Sequence, residues 1–135
     1  MTTEKTIWFN EPVNVKYSMI HIDSTCIPFD DAKKLPIENF VDDRAVMAVL
    51  TFNRDIERAI ELLKAHNFNF LEVAEIMDEK FLFEVYGVNF EFEDDMEELA
   101  SLWFGKTLKI IPKVMLPNIT GSVREMSKGD DVYVI

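Results

Sequence analysis

The stretch Ala45-Val46-Met47-Ala48-Val49-Leu50-Thr51-Phe52 is apolar at every position but Thr51. A strand that alternates apolar and polar residues needs cover on one face; a strand that is apolar throughout needs cover on both. The segment 45–52 therefore predicts an interior strand of a layered α+β domain. Any sheet built around it must have something packed on each side.

The surrounding pattern supplies elements for such a sheet. Ile56, Ile60 and Leu63, with Ala59 beside them, form one apolar stripe, predicting a helix over 54–66 with Asn53 as its N-cap. Asn67 is a natural stop. Phe70–Met77 and the segment from Phe81 onward read as a hairpin turning at Asp78-Glu79-Lys80. Within that second strand the apolar positions change phase, from Phe81, Phe83 and Val85 to Val88, Phe90 and Phe92. Gly87 sits at the change, so a β-bulge or second turn is expected there. Asp95 and Glu98 resemble a capping box, and Met96, Leu99, Ala100 and Trp103 predict a helix over 95–104 closed by Gly105. Lys106–Leu116 returns as a strand, with Pro112 at an edge or bulge.

The order over 45–116 is β-α-β-β-α-β, which resembles the ferredoxin-like arrangement: an antiparallel sheet with two helices on one face. Before it, residues 1–44 read as a β-hairpin (Thr6–Phe9 with Val13–Ile22, joined at Asn10-Glu11-Pro12) and a connector in which Pro36 starts one helical turn. After it, 117–135 form a tail with a short strand at Asp131–Ile135. One domain is expected in 135 residues.

Charge is the sharpest functional signal. The chain carries 14 Lys and Arg against 25 Asp and Glu, a net of -11. Between Glu72 and Glu98 eleven acids face one base, Lys80, so a fifth of the chain holds almost all of that charge. Such a balance disfavours direct binding to nucleic acid or to an anionic membrane. It favours docking on a basic protein surface through Glu91, Glu93, Asp94, Glu97, Glu72 and Glu75. A small acidic domain of this kind suits a virus-encoded inhibitor or nucleic-acid mimic, with a nucleic-acid-binding protein as its partner. The next expectation is a regulatory module binding a small ligand between paired sheets, which makes a homodimer one way to cover the open face. The third is a metal-dependent phosphoryl-transfer or nuclease-like enzyme. Its ligands would be Asp55, Asp78 and Glu79, placed similarly to the carboxylates of nucleotidyl-transferase palm domains.

Other chemistry-bearing residues are few. His21, Asp23, Ser24, Thr25 and Cys26 include the ingredients of a triad, but consecutive residues seldom supply its geometry. The expectation is a buried His21 satisfied by Asp23 or a backbone carbonyl. His66 is expected to meet the last carbonyls of its helix. One cysteine excludes an internal disulfide and a multi-cysteine zinc site, and fits a reducing compartment. The phenylalanines lack the basic companions of an RNA-stacking surface, so they read as core or protein contact. No cofactor motif is present. Without a membrane-length apolar run, a cytoplasmic location is expected.

Overall fold

The computed structural model describes residues 6–8, 16–76, 79–111 and 131–134, with side chains described within 16–76 and 81–110. In chain order the elements are β1 (Thr6–Trp8), β2 (Tyr17–Asp23), α1 (Phe29–Lys33), β3 (Val41–Phe52), α2 (Ile56–Ala65), β4 (Asn69–Ile76), β5 (Glu79–Val88), α3 (Met96–Trp103), β6 (Thr107–Ile111) and β7 (Asp131–Val134). Short 3-10 turns occupy Ile37–Asn39 and Asn53–Asp55. The strands form one sheet in the order β1-β7-β6-β2-β3-β5-β4. From β1 to β3 every neighbouring pair is parallel; β5 runs antiparallel between β3 and β4.

Residues Ala45–Val49 are fully buried, as their composition requires. Met47 and Val49 join the larger core with Ile20, Ile22, Ala59, Leu62, Leu63 and Val85, under α1 and α2. Val46 and Ala48 join a second core on the opposite face, with Met19 and Val88, against Leu99, Leu102 and Trp103 of α3. Parity along β3 thus assigns successive residues to the two layers.

The mixed α+β character and the β-α-β-β-α-β element order agree with the sequence reading. The arrangement departs from a ferredoxin-like sheet. β3, β5 and β4 lie side by side as expected, but β6 does not border β3; β2 separates them, and β6 is parallel to both. β2 takes this interior place because it is apolar on both faces, Met19 on one and Ile20 and Ile22 on the other. For the same reason it forms no hairpin with β1, which pairs with β7 at the far edge. Residues 9–15, which include the expected turn at Asn10-Glu11-Pro12, lie outside the described residues. Nor do the two long helices share a face: α2 covers one core and α3 the other. Two-sided burial of 45–49 is met by one helix on each face.

Gly87 also resolves differently. β5 keeps an unbroken register with β3 from Val46↔Val88 to Phe52↔Leu82. The irregularity lies on β4, between Phe70 and Glu72, opposite Gly87. The apolar phase changes because Val85 meets the α2 layer while Tyr86, Val88 and Phe90 meet the α3 layer. Glycine is needed for close approach: a Cβ there would stand 2.7 Å from the Asn69 carbonyl oxygen and 3.1 Å from Leu63 Cδ1.

Local signals fare well. Pro36 precedes the 3-10 turn at Ile37–Asn39. Asn67 ends its helix in the left-handed region, at φ 65°. The Glu98 amide donates to the Asp95 carboxylate at 3.1 Å, forming the α3 cap. Glu98 does not reach back; its carboxylate takes a two-pronged contact from Arg44 at 2.9 and 2.5 Å. Asn53 begins a 3-10 turn, and Asp55 precedes α2 without a side-chain cap bond. Met77, Asp78 and Pro112 lie outside the described residues. No described helix is long and apolar enough to cross a membrane.

Candidate functional site

β2 and β6 are adjacent and parallel, yet the chain leaves them in opposite directions. β2 is followed, through α1, by β3 on one side; β7 lies on the other side of β6. Such a reversal opens a crevice at the carboxyl ends of the strands, where open α/β sheets place their ligands. The turn Asp23-Ser24-Thr25-Cys26, at the carboxyl end of β2, meets the Phe52–Asp55 segment at the carboxyl end of β3, on the side of β2 away from β6.

The Asp23 turn is built by its own side chain. The Asp23 carboxylate accepts from the Thr25 amide at 2.9 Å and from the Thr25 hydroxyl, and Cys26 Sγ stands 3.7 Å from its other oxygen. The Asp23 carbonyl accepts from the amides of Cys26 and Ile27. Ser24 is tied to the neighbouring strand, its amide and hydroxyl both donating to the Leu50 carbonyl, at 2.9 and 2.6 Å. An aspartate that closes a turn two residues on is an Asx-turn. It holds the Ser24 and Thr25 oxygens at the mouth of the crevice as acceptors, because their hydrogens are already committed.

Beside the turn lies an open cleft of about 290 Å³ lined by Ser24, Thr25, Phe29, Phe52, Arg54, Asp55 and Arg58, among others. Arg54 lies over the Phe52 ring at 4.9 Å and Arg58 over Phe29 at 4.6 Å. A guanidinium over a ring face is attracted by the ring's negative face. Both approach Asp55 only at 3.8 Å, beyond hydrogen-bond range, so their donors stay available to a ligand.

A second polar group lies deeper on the α3 face. His21 pairs across the sheet with Lys109 on β6 and Ala48 on β3, and Ala48 pairs with Tyr86 on β5. His21 Nε2 is 3.6 Å from Glu84 Oε1, with side chains 25% and 17% exposed, and Trp103 meets both His21 and Tyr86 edge-on. Burial, helped by the Lys109 charge, lowers the His21 pKa to about 4. Burial raises that of Glu84. Burial first, then the charge of Glu84 and a hydrogen bond to it, pushes the Tyr86 hydroxyl up to about 12. At neutral pH His21 is uncharged, so its contact with Glu84 is not an ion pair.

The residues singled out from sequence fall in separate places. His21 faces Glu84 rather than Asp23, and Asp23 serves its own turn; among the described residues no Ser-His-Asp or Cys-His relay is formed. His66 leaves its helix end and reaches the Ala32 carbonyl of α1 at 2.8 Å, where burial lowers its pKa. Glu91, Glu93, Asp94 and Glu97 are exposed along the approach to α3 and its first turn, without a hydrogen bond or ion pair among the described residues. Glu72 lies across from Tyr86 on the α3 face, whereas Glu75 pairs with Phe83 on the α2 face, so the six acids do not share one side of the sheet. Asp55 is in the cleft, Asp78 lies outside the described residues, and only the backbone of Glu79 is described. Among the described residues no three His, Cys, Asp or Glu side chains are placed to hold a metal. Sequence reasoning passed over Arg54 and Arg58. Their signal was available in the spacing Phe52-x-Arg54-x-x-x-Arg58 after a buried strand, but Phe29 joins them only through the fold.

No protein-family model matches the chain, and no curated protein matches it. Among solved structures the chain is similar to M1.HpyAVI, at a TM-score of 0.53 and 12% identity, over 90% of this chain and 81% of that one. The likeness is one of fold.

Proposed function

We propose that the chain binds a small nucleotide-type ligand in the crevice at the carboxyl ends of β2 and β3. One observation carries the reading: two guanidinium groups, each stacked on a ring and free of close carboxylate bonds, face the acceptor-rich Asp23–Cys26 turn across one cleft. The pair suits a phosphate, which planar guanidinium groups grip through parallel N–H donors. The Ser24 and Thr25 oxygens suit a ligand's amino group. A cleft of about 290 Å³ is at the lower end of small-ligand sites and fits a mononucleotide better than a polymer. The net charge of -11 points the same way, since a polynucleotide would be repelled. Calorimetric titration with AMP and adenosine tests this. AMP is expected to bind more tightly than adenosine, and Arg58→Ala to remove that difference.

A second reading rests on the exposed acids. Glu91, Glu93, Asp94 and Glu97 are uncommitted, while Asp95 and Glu98 are used internally. We infer an acidic docking surface for a basic protein partner, of the kind an inhibitor or nucleic-acid mimic would present. Its test is association kinetics at two salt concentrations.

A further inference from the structure

Helix α3 carries two apolar stripes. Leu99, Leu102 and Trp103 turn inward and pack on the second core. Met96, Ala100 and Phe104 stand four residues apart, so they stack along one line of the helix surface. All three are exposed, Met96 to 65% and Phe104 to 84%. A single exposed apolar side chain needs no explanation, but two large ones, Met96 at the first position of α3 and Phe104 as its C-cap, with a small residue between them make a contact surface. Ala100 between them adds little bulk; Phe104 is an aromatic anchor and Met96 an adaptable one.

The stripe is charged asymmetrically. Glu93, Asp94 and Glu97 crowd its Met96 end, and Arg44 nearby is already held by Glu98 and the Phe90 ring. At the Phe104 end the Lys106 ammonium lies 5.9 Å from the Tyr17 ring centroid. A second copy would bring another net -11 against the first, which argues against self-association. A partner helix with apolar residues at i, i+4, i+8 and basic residues toward one end satisfies both the stripe and the acids.

We propose that the outer face of α3 docks an amphipathic, basic helix of a partner protein, with Met96 and Phe104 as anchors. The proposal rests on the acidic-docking reading for the partner's charge and on the apolar stripe for its shape.

The test uses a labelled 18-residue Leu/Lys peptide with Leu at helical spacing, and a scrambled peptide of the same composition. Binding is followed by anisotropy and stopped flow. Three proteins are compared: wild type, Met96→Ser/Phe104→Ser, and Glu93→Lys/Asp94→Lys/Glu97→Lys. All substitutions are at exposed sites, and circular dichroism verifies the fold. The amphipathic peptide is expected to bind wild type well above the scrambled one. The double Ser variant is expected to weaken it by about tenfold or more, through faster dissociation at an unchanged salt response. The triple reversal is expected to slow association and flatten the salt response. Unchanged binding by the double Ser variant, with loss in the triple reversal, overturns the helix-docking proposal and leaves the acidic reading standing. Indifference to both sets overturns both. Equal binding of the scrambled peptide, or a wild-type dimer in sedimentation that Phe104→Ser dissolves, also overturns the proposal.

Discussion

His21 Nε2 and Glu84 Oε1 stand 3.6 Å apart beneath Trp103, yet at neutral pH the imidazole is neutral because burial holds its pKa near 4. The folded value lies below the unfolded 6.5. The unfolded chain therefore takes up the proton first as pH falls. The stability this contributes is fully present above pH 6.5 and is lost toward pH 4. Between pH 7 and 5 the loss should be about 2 kcal/mol. Glu84, raised by burial, has the opposite sign: its contribution is present below its unfolded pKa and is lost as pH rises through the folded one. Urea midpoints at pH 7 and 5 check this. His21→Phe should flatten the acid-side decline; an equally steep decline in that variant contradicts it.

Gly87→Ala forces a methyl group against the Asn69 carbonyl and Leu63. Overpacking of this kind costs about 1–3 kcal/mol. Denaturant unfolding should register the loss, while an exposed change such as Glu61→Ala should have little effect. A neutral Gly87→Ala would mean that β4 does not lie where its bulge places it.

Asn89 clasps both sides of the irregular start of β3: its side-chain oxygen accepts from the Ala45 amide and its nitrogen donates to the Asp42 carbonyl, each at 2.8 Å. Asn89→Ala leaves the amide of fully buried Ala45 without that acceptor, at a cost of about 1–3 kcal/mol. Hydrogen exchange at Ala45 should accelerate in the variant; unchanged protection contradicts the clasp.

Much of the local structure was legible in the sequence because its causes are local. The Asp95 cap, the Asn67 stop and the two apolar helix stripes each depend on a few neighbouring residues. The placement of β2 was not legible. Its alternation is clear only before Met19, and the apolar run Met19, Ile20, Ile22 that makes it an interior strand is broken by His21. The opposite faces of α2 and α3 followed in principle from the two-sided burial of 45–49, but which element covers each face is a long-range matter. The candidate site lay in the same blind spot. Asp23, Ser24 and Thr25 were visible as a polar cluster, whereas Arg54 and Arg58 gain their meaning only when β2 and β3 bring Phe29 and Phe52 beneath them.

The crevice is tested most directly by calorimetric titration of AMP into wild type and into Arg54→Ala/Arg58→Ala. Wild type should bind AMP, and the double variant should bind at least about tenfold more weakly, since each charge-assisted contact to phosphate is worth roughly 1.5–3 kcal/mol. Both side chains are largely exposed, so the variant should unfold at the wild-type midpoint. No heat from wild type at millimolar AMP, or equal affinity in the two proteins, would contradict a nucleotide site between the Asp23 turn and the two stacked arginines.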